Sequence, residues 1–248
     1  MSNIQIFYLN VDEYKWKELL KSDDLRFFKH IKNVAKILQT QKQIILKRDH
    51  WNNKTLKEDY ILSNKYNHIN LVKHICYFEY EEDIINFLSN DDKDKREEFE
   101  DNSVIISPYY MNLDFDSIPE HEHTNIMQQI ILILYLCLFE YKLSFHNINM
   151  HNVYIHRDNT TKIHYTFNKK SYKIQSQYIV KIDAFIDACE LKECLPIHYR
   201  FLYNNIITLT SIKMHKLREF VESFIGTQND NKIVNPIKIL DQMIWQTN

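Results

Sequence analysis

The sequence predicts an α+β protein: a mainly β first part that carries one helix, followed by a mainly α second part. Three observations predict it. Apolar stretches before residue 110 are short and strand-like around a single helical repeat, and the run IILILYLCLF, residues 130–139, reads as a buried helix. Helical spacing then returns after Pro196. At 248 residues and 44% hydrophobic content the chain can bury one sizeable core or two lobes sharing a cleft. The expected division is residues 1–110 and 111–248.

In chain order, residues 11–32 read as a helix, with Tyr14, Trp16, Leu19, Leu20, Leu25 and Phe28 at mixed three-and-four spacing. VAKILQ and KQIILKR predict a hairpin over 34–48. TLKEDYILSNKY has helical spacing through Leu56, Tyr60 and Ile61, while NHINLVKHICYFEY and SVIISPYY read as strands. The charged segment 91–101 is expected to be a solvated loop. A long helix is predicted from Glu120 to Lys142. VYIHR, IHYTF, SYKI and YIVKIDAF predict four short strands separated by Asn, Thr and Lys turns. The closing helices are HYRFLYNNIITLTSI, KLREFVESFI with Gly226 as its C-cap, and NPIKILDQMIWQ.

Composition excludes several functions. The chain has one glycine, Gly226, so the P-loop, the GxGxxG dinucleotide fingerprint and the GxSxG elbow, which need glycine where backbone meets phosphate or turns sharply, are all ruled out. A net charge of −2 leaves no basic footprint for nucleic acid or an anionic membrane. Ten apolar residues fall short of the roughly twenty that span a bilayer. Cys76, Cys137, Cys189 and Cys194 lie apart or in apolar runs, and no secretory signal stands at the start, so the expected compartment is the cytoplasm. His121, His123, His146 and His151 tempt a metal reading, but no CxxC pair or HExxH helix supports one.

One set of motifs is specific. Ile44-Ile45-Leu46-Lys47 has the form of a strand ending in a phosphate-binding lysine, and Glu58 follows on the next predicted helix. Asn67-His68-Ile69-Asn70-Leu71-Val72 follows as a turn into a strand, and VIISPYYMN, residues 104–112, comes before the long helix. YIVKIDAF then ends on Asp183-Ala184-Phe185. In this order the chain resembles a eukaryotic-type protein kinase over roughly residues 34–220, most of all the divergent kinases of large DNA viruses. The resemblance implies a two-lobed fold in which Lys47 and Glu58 pair, Ile106 and Tyr109 pass the adenine of ATP, and Asp183 binds magnesium.

The stretch FHNINMHNVYIHRDN, residues 145–159, offers two versions of the catalytic loop, whose pattern H-R-D-x-x-x-x-N sets the base five residues before a metal-binding asparagine. The literal triplet His156-Arg157-Asp158 fails, because Ile163 stands five residues after Asp158. Asn152 succeeds and places Asn147 at the base position, with Phe145 and His146 where His and Arg usually stand. The triplet is then expected to be a turn after a strand. An amide cannot take the proton of a substrate hydroxyl as a carboxylate does, and such help contributes about 10² to 10⁴ in rate. Phe27, Lys29 and Lys32 hold the counted positions of the glycine-rich loop, and only a dozen residues separate Asp183 from the next helix, too few for an activation segment. The expectation is therefore a pseudokinase acting through a protein partner, with residual binding of ATP and Mg²⁺. The alternative is an active but divergent serine/threonine kinase.

Overall fold

The computed structural model describes residues 25–27, 34–37, 42–47, 53–79, 103–167, 169–210, 214–226 and 240–244. Two compact units are present: one comprises the chain up to Lys65 together with Val72–Tyr109, the other Tyr66–Leu71 and everything from Tyr110 onward. The fold class is α+β, as expected.

The first unit is built on a five-stranded antiparallel sheet, ordered β1-β2-β3-β5-β4, with β1 at Leu25–Phe27, β2 at Val34–Ile37, β3 at Lys42–Lys47, β4 at Cys76–Glu79 and β5 at Ser103–Pro108. The predicted hairpin is β2 and β3, in register from Val34↔Ile45 to Ile37↔Lys42. Leu25–Phe27 had been expected within a helix, but it alternates apolar, basic, apolar and pairs with Val34–Ile37, so the two-residue period prevails there. The rest of that expected helix, the loop at 91–101 and most of the last expected helix lie outside the described residues. Helix α1, Asn53–Lys65, packs on β4 and β5. Its buried stripe, Leu56, Asp59 and Ser63, follows the three-and-four spacing of one helix face. Only Cys76–Glu79 of the longer predicted strand pairs as one.

The second unit is organised around α2, Glu120–Phe139. It is apolar on all sides from Ile130 to Leu138, and accordingly every residue there is buried. Fully burying each such Leu or Ile contributes about 1.5–3 kcal/mol. Glu120 and Glu122 lie in the first turn, where the helix dipole favours negative charge. Burial works against charge on Glu122, but bonds from Asn125, Ser176 and the Gln177 N–H hold its carboxyl below its usual value. The helix stops three residues before the expected Lys142, which takes a left-handed turn (φ 54°) into β7, Leu143–Phe145.

The four short strands expected after Asn152 are two long ones. β8, Val153–Phe167, and β9, Lys170–Ile182, form one antiparallel hairpin against α2, joined on the other edge by β6, Met111–Asn112. Lys162, read as part of a turn, continues the solvent face of the strand: it points outward with His164 and Thr166 while Ile163 and Tyr165 are buried. His156 and Arg157, expected in a turn, pair in β8 with Ile179 and Tyr178, and the register breaks just after them. A two-stranded ribbon of β7 and β10, Ala188–Glu190, and helices α3, Pro196–Leu209, and α4, His215–Gly226, follow. Residues 240–244 form a short helix, α5, that buries Leu240 and Met243.

The segment Tyr66–Leu71 is held in this unit by a buried amide network. Asn70 Nδ2 donates to Gln129 Oε1 (3.0 Å) and Val180 O (2.8 Å), Asn70 Oδ1 accepts from Tyr165 OH (2.7 Å), and Gln129 bonds both Tyr178 O and Val180 N. Leu71 and Ile182 add a parallel bridge.

Candidate active site

Ribbon β7–β10 feeds a loop, residues 146–152, whose path is fixed by its own asparagines. Ile148 is buried, and its N–H donates to Asn205 Oδ1 (3.0 Å) while Asn205 Nδ2 donates to Phe145 O (2.8 Å), so α3 pins the loop from beneath. Asn149 N–H donates to Asn152 Oδ1 (2.9 Å), and Asn152 Nδ2 donates back to Asn147 O (3.2 Å). Asn147 itself is exposed. The Asp183 N–H donates to Asn152 O (2.9 Å), extending the β8–β9 pairing at Val153↔Ile182 by one step. The side-chain amide of Asn152 and one backbone bond thus bring together three residues singled out in the sequence, Asn147, Asn152 and Asp183.

Asp183 is buried at 7% exposure, and the next residues turn sharply: Phe185 is buried edge-on against Phe145 (5.9 Å), and β10 begins three residues later. A carboxylate at Asp183 and an amide oxygen at Asn152 that keeps a second lone pair are hard oxygen donors, the ligand chemistry that Mg²⁺ takes. These two residues therefore fit the metal that the resemblance implies. Sequence reasoning did not single out Lys181, on β9 two residues before Asp183. Its ammonium donates to Ile69 O and lies 5.4 Å from the Tyr110 ring, and burial pushes its pKa down to about 8. Burial also lowers the pKa of His156, and Lys181 adds to the effect.

The triplet His156-Arg157-Asp158 serves the strand instead. Arg157 stacks over Tyr178 (6.0 Å), and Asp158 accepts from Thr161 Oγ1 (2.8 Å) and the Asn159 N–H (2.7 Å), bonds that hold its carboxyl below the usual range and close the irregular step in β8. His123, one of the histidines weighed as a metal ligand, is buried with Nε2 bonded to Phe115 O and Ile118 O.

In the first unit Lys47 is the last residue of β3, with its backbone opposite Ile105. Ile106 is fully buried between Leu46 and Cys76, and its carbonyl accepts from the Ile75 N–H (2.7 Å). Tyr109 follows β5 and is half-buried. Glu58 is exposed, and the acidic residue that α1 turns inward is its neighbour Asp59, at 2% exposure. Asp59 Oδ1 lies 3.2 Å from His74 Nε2, and His74 Nδ1 bonds Ser107 Oγ. The atom order is that of a Ser-His-Asp relay, but all three side chains are sealed and leave no room for a substrate at Ser107. They tie α1 to β5. The signal for Asp59 was present in the sequence, since it stands three residues after Leu56 on the apolar stripe.

No protein-family model and no curated protein matches the sequence. Among solved structures, the chain is similar to one of the yeast RNA polymerase II CTD kinase CTDK-1 complex, at 13% identity and a TM-score of 0.45, over 69% of this chain and 48% of that one. It is also similar to the autoinhibited serine kinase domain of the giant muscle protein titin, at 15% identity and a TM-score of 0.38, over 64% of this chain and 41% of that one. The chain thus spans about half the length of these structures or less. No helix among the described residues is long and apolar enough to cross a membrane.

Proposed function

We propose that the chain is a protein-kinase-like protein of the viral kind, a pseudokinase that acts in the host cytoplasm by binding a protein partner, with residual binding of ATP and Mg²⁺. The observation that carries this reading is the loop 146–152: Asn152 and Asp183, the metal-binding positions, are bonded to each other through the backbone, and the residue that Asn152 holds at the base position is Asn147 rather than a carboxylate. A hydroxyl nucleophile at this loop finds an amide that cannot accept its proton. Lys47, at the end of the third strand with α1 beginning six residues later, supports the phosphate-binding role in the first unit, with Ile106 and Tyr109 as the adenine contacts. The buried acidic residue of that helix favours Asp59 over Glu58 as the one with a structural role.

Thermal melting with and without ATP and Mg²⁺ tests the nucleotide part. Ligand at about a hundred times its dissociation constant stabilises by roughly 2.7 kcal/mol, a shift on the order of several degrees for a chain of this size. The shift is expected in the wild type and lost in Lys47→Ala. No shift at millimolar ATP leaves a kinase-shaped binding protein without nucleotide. The second reading, an active divergent serine/threonine kinase, is favoured by the joint retention of Lys47, Asn152 and Asp183, because phosphoryl transfer depends heavily on positioning and charge stabilisation. It requires Asn147→Asp to raise activity, and an inert Asn147→Asp protein counts against it.

A further inference from the structure

Beside the loop lies a nucleophile and base pair that the kinase reading does not use. Cys189, on β10 opposite Ser144 of β7, is half-buried, and its sulfur lies 3.0 Å from Nε2 of the exposed His146. The backbone N–H of His146 donates to Asp187 O (3.0 Å), which ties the main chain here to the turn before β10, and the imidazole itself packs 4.7 Å from the Phe201 ring. A thiol within hydrogen-bond reach of an imidazole whose ring is packed in place is an arrangement that activates cysteine nucleophiles. The other described thiols lack it. Cys137 is fully buried in α2, and Cys194 Sγ is directed at Leu138 O (3.6 Å).

We propose that Cys189 is a site of reversible S-thiolation, with His146 as the base that takes its proton and a small-molecule disulfide as the co-reactant. Cys189 Sγ attacks one sulfur of the disulfide while its proton passes to His146 Nε2. The disulfide's S–S bond breaks, a new S–S bond joins Cys189 to one half, and the proton moves from His146 to the departing thiolate. Cys189 is oxidised to a mixed disulfide and the other half of the reagent is reduced to a thiol. Burial raises the pKa of Cys189, so free thiolate is scarce and a neighbouring base decides its rate. This inference is independent of whether the chain binds nucleotide.

Incubation of the intact protein with glutathione disulfide, followed by peptide mapping over time, reads the mixed disulfide at each cysteine. Cys189 is expected to react about tenfold or more faster than Cys194, and His146→Gln to slow Cys189 on the order of 10²-fold while leaving Cys194 unchanged. Equal rates at Cys189 and Cys194 in the wild type overturn the proposal, and so does an undiminished Cys189 rate in a folded His146→Gln protein. The wild-type ratio needs no variant, so it decides even where His146→Gln disturbs folding, which a rise in the Cys194 rate would reveal.

Discussion

Asn70 and Asn152 do the same job in opposite surroundings. Each uses both ends of a side-chain amide to hold backbone or neighbouring polar groups in place, but Asn70 is fully buried among Gln129, Tyr165 and Val180, whereas Asn152 is half-buried on a loop whose neighbours Asn147 and His151 are exposed. A buried amide network exists to be satisfied, and every partner left over costs free energy. An open one preorganises a loop for something else to bind. The difference separates the residues that make the second unit fold from those that shape its candidate site.

The comparison breaks most easily at the buried end. Asn70→Leu removes three hydrogen bonds and leaves Val180 O and Tyr165 OH buried without them, so destabilisation of about 3 kcal/mol or more is expected by denaturant titration at unchanged m-value. A loss under about 1 kcal/mol would show that the network is not needed to hold Tyr66–Leu71.

A second effect is linked to pH. Burial, aided by Lys181, lowers the pKa of His68 to about 4 against an opposing contact from His164, and its Nδ1 accepts from the Asn70 N–H. Between pH 6.5 and 4 the unfolded chain therefore binds a proton that the folded chain refuses, so stability falls as pH drops through that window. With its partial exposure discounted, His68 accounts for about 1 kcal/mol of the loss. Melting temperatures across this range should fall in the wild type and fall less in His68→Gln, and an identical slope in both would remove His68 from the account.

At the open end the effects on stability are smaller. Asn152→Ala frees the loop at Asn147 and Asn149, which is worth about 1 kcal/mol or less to folding, yet it should abolish any Mg²⁺-dependent part of the ATP shift. Asn147→Asp, at an exposed position, should leave stability within about 0.5 kcal/mol. A large stability loss in either variant, measured by the same titration, would mean that this loop is part of the core rather than a site.

How far the sequence could be read follows the same division. The hairpin of β2 and β3 and helix α1 carry periods that only one element satisfies, and the unbroken apolar run of α2 marks a buried helix. Counting five residues from Asn152 to Asn147 located a loop that the backbone bonds then join to Asp183. The full length of the β8–β9 hairpin was not legible, because the polar stretch through Thr161 and Lys162, which pairs on in β8, has the composition of a turn. Glu58 was singled out by motif order alone, whereas the buried face of the helix carries Leu56, Asp59 and Ser63. Residues joined across long sequence separation, such as Asn70 with Gln129 and His146 with Cys189, leave no local period for a reader to find.

The central claim of the proposed function is that Asn147, at the base position, leaves the chain without effective phosphoryl transfer. It is tested most directly by measuring transfer of the ATP γ-phosphate, in the presence of Mg²⁺, to generic protein substrates and to the chain itself. Wild type, Lys47→Ala and Asp183→Ala are compared side by side. The account predicts that wild type is indistinguishable from the two variants. Robust, metal-dependent transfer by the wild type that disappears in both would contradict it.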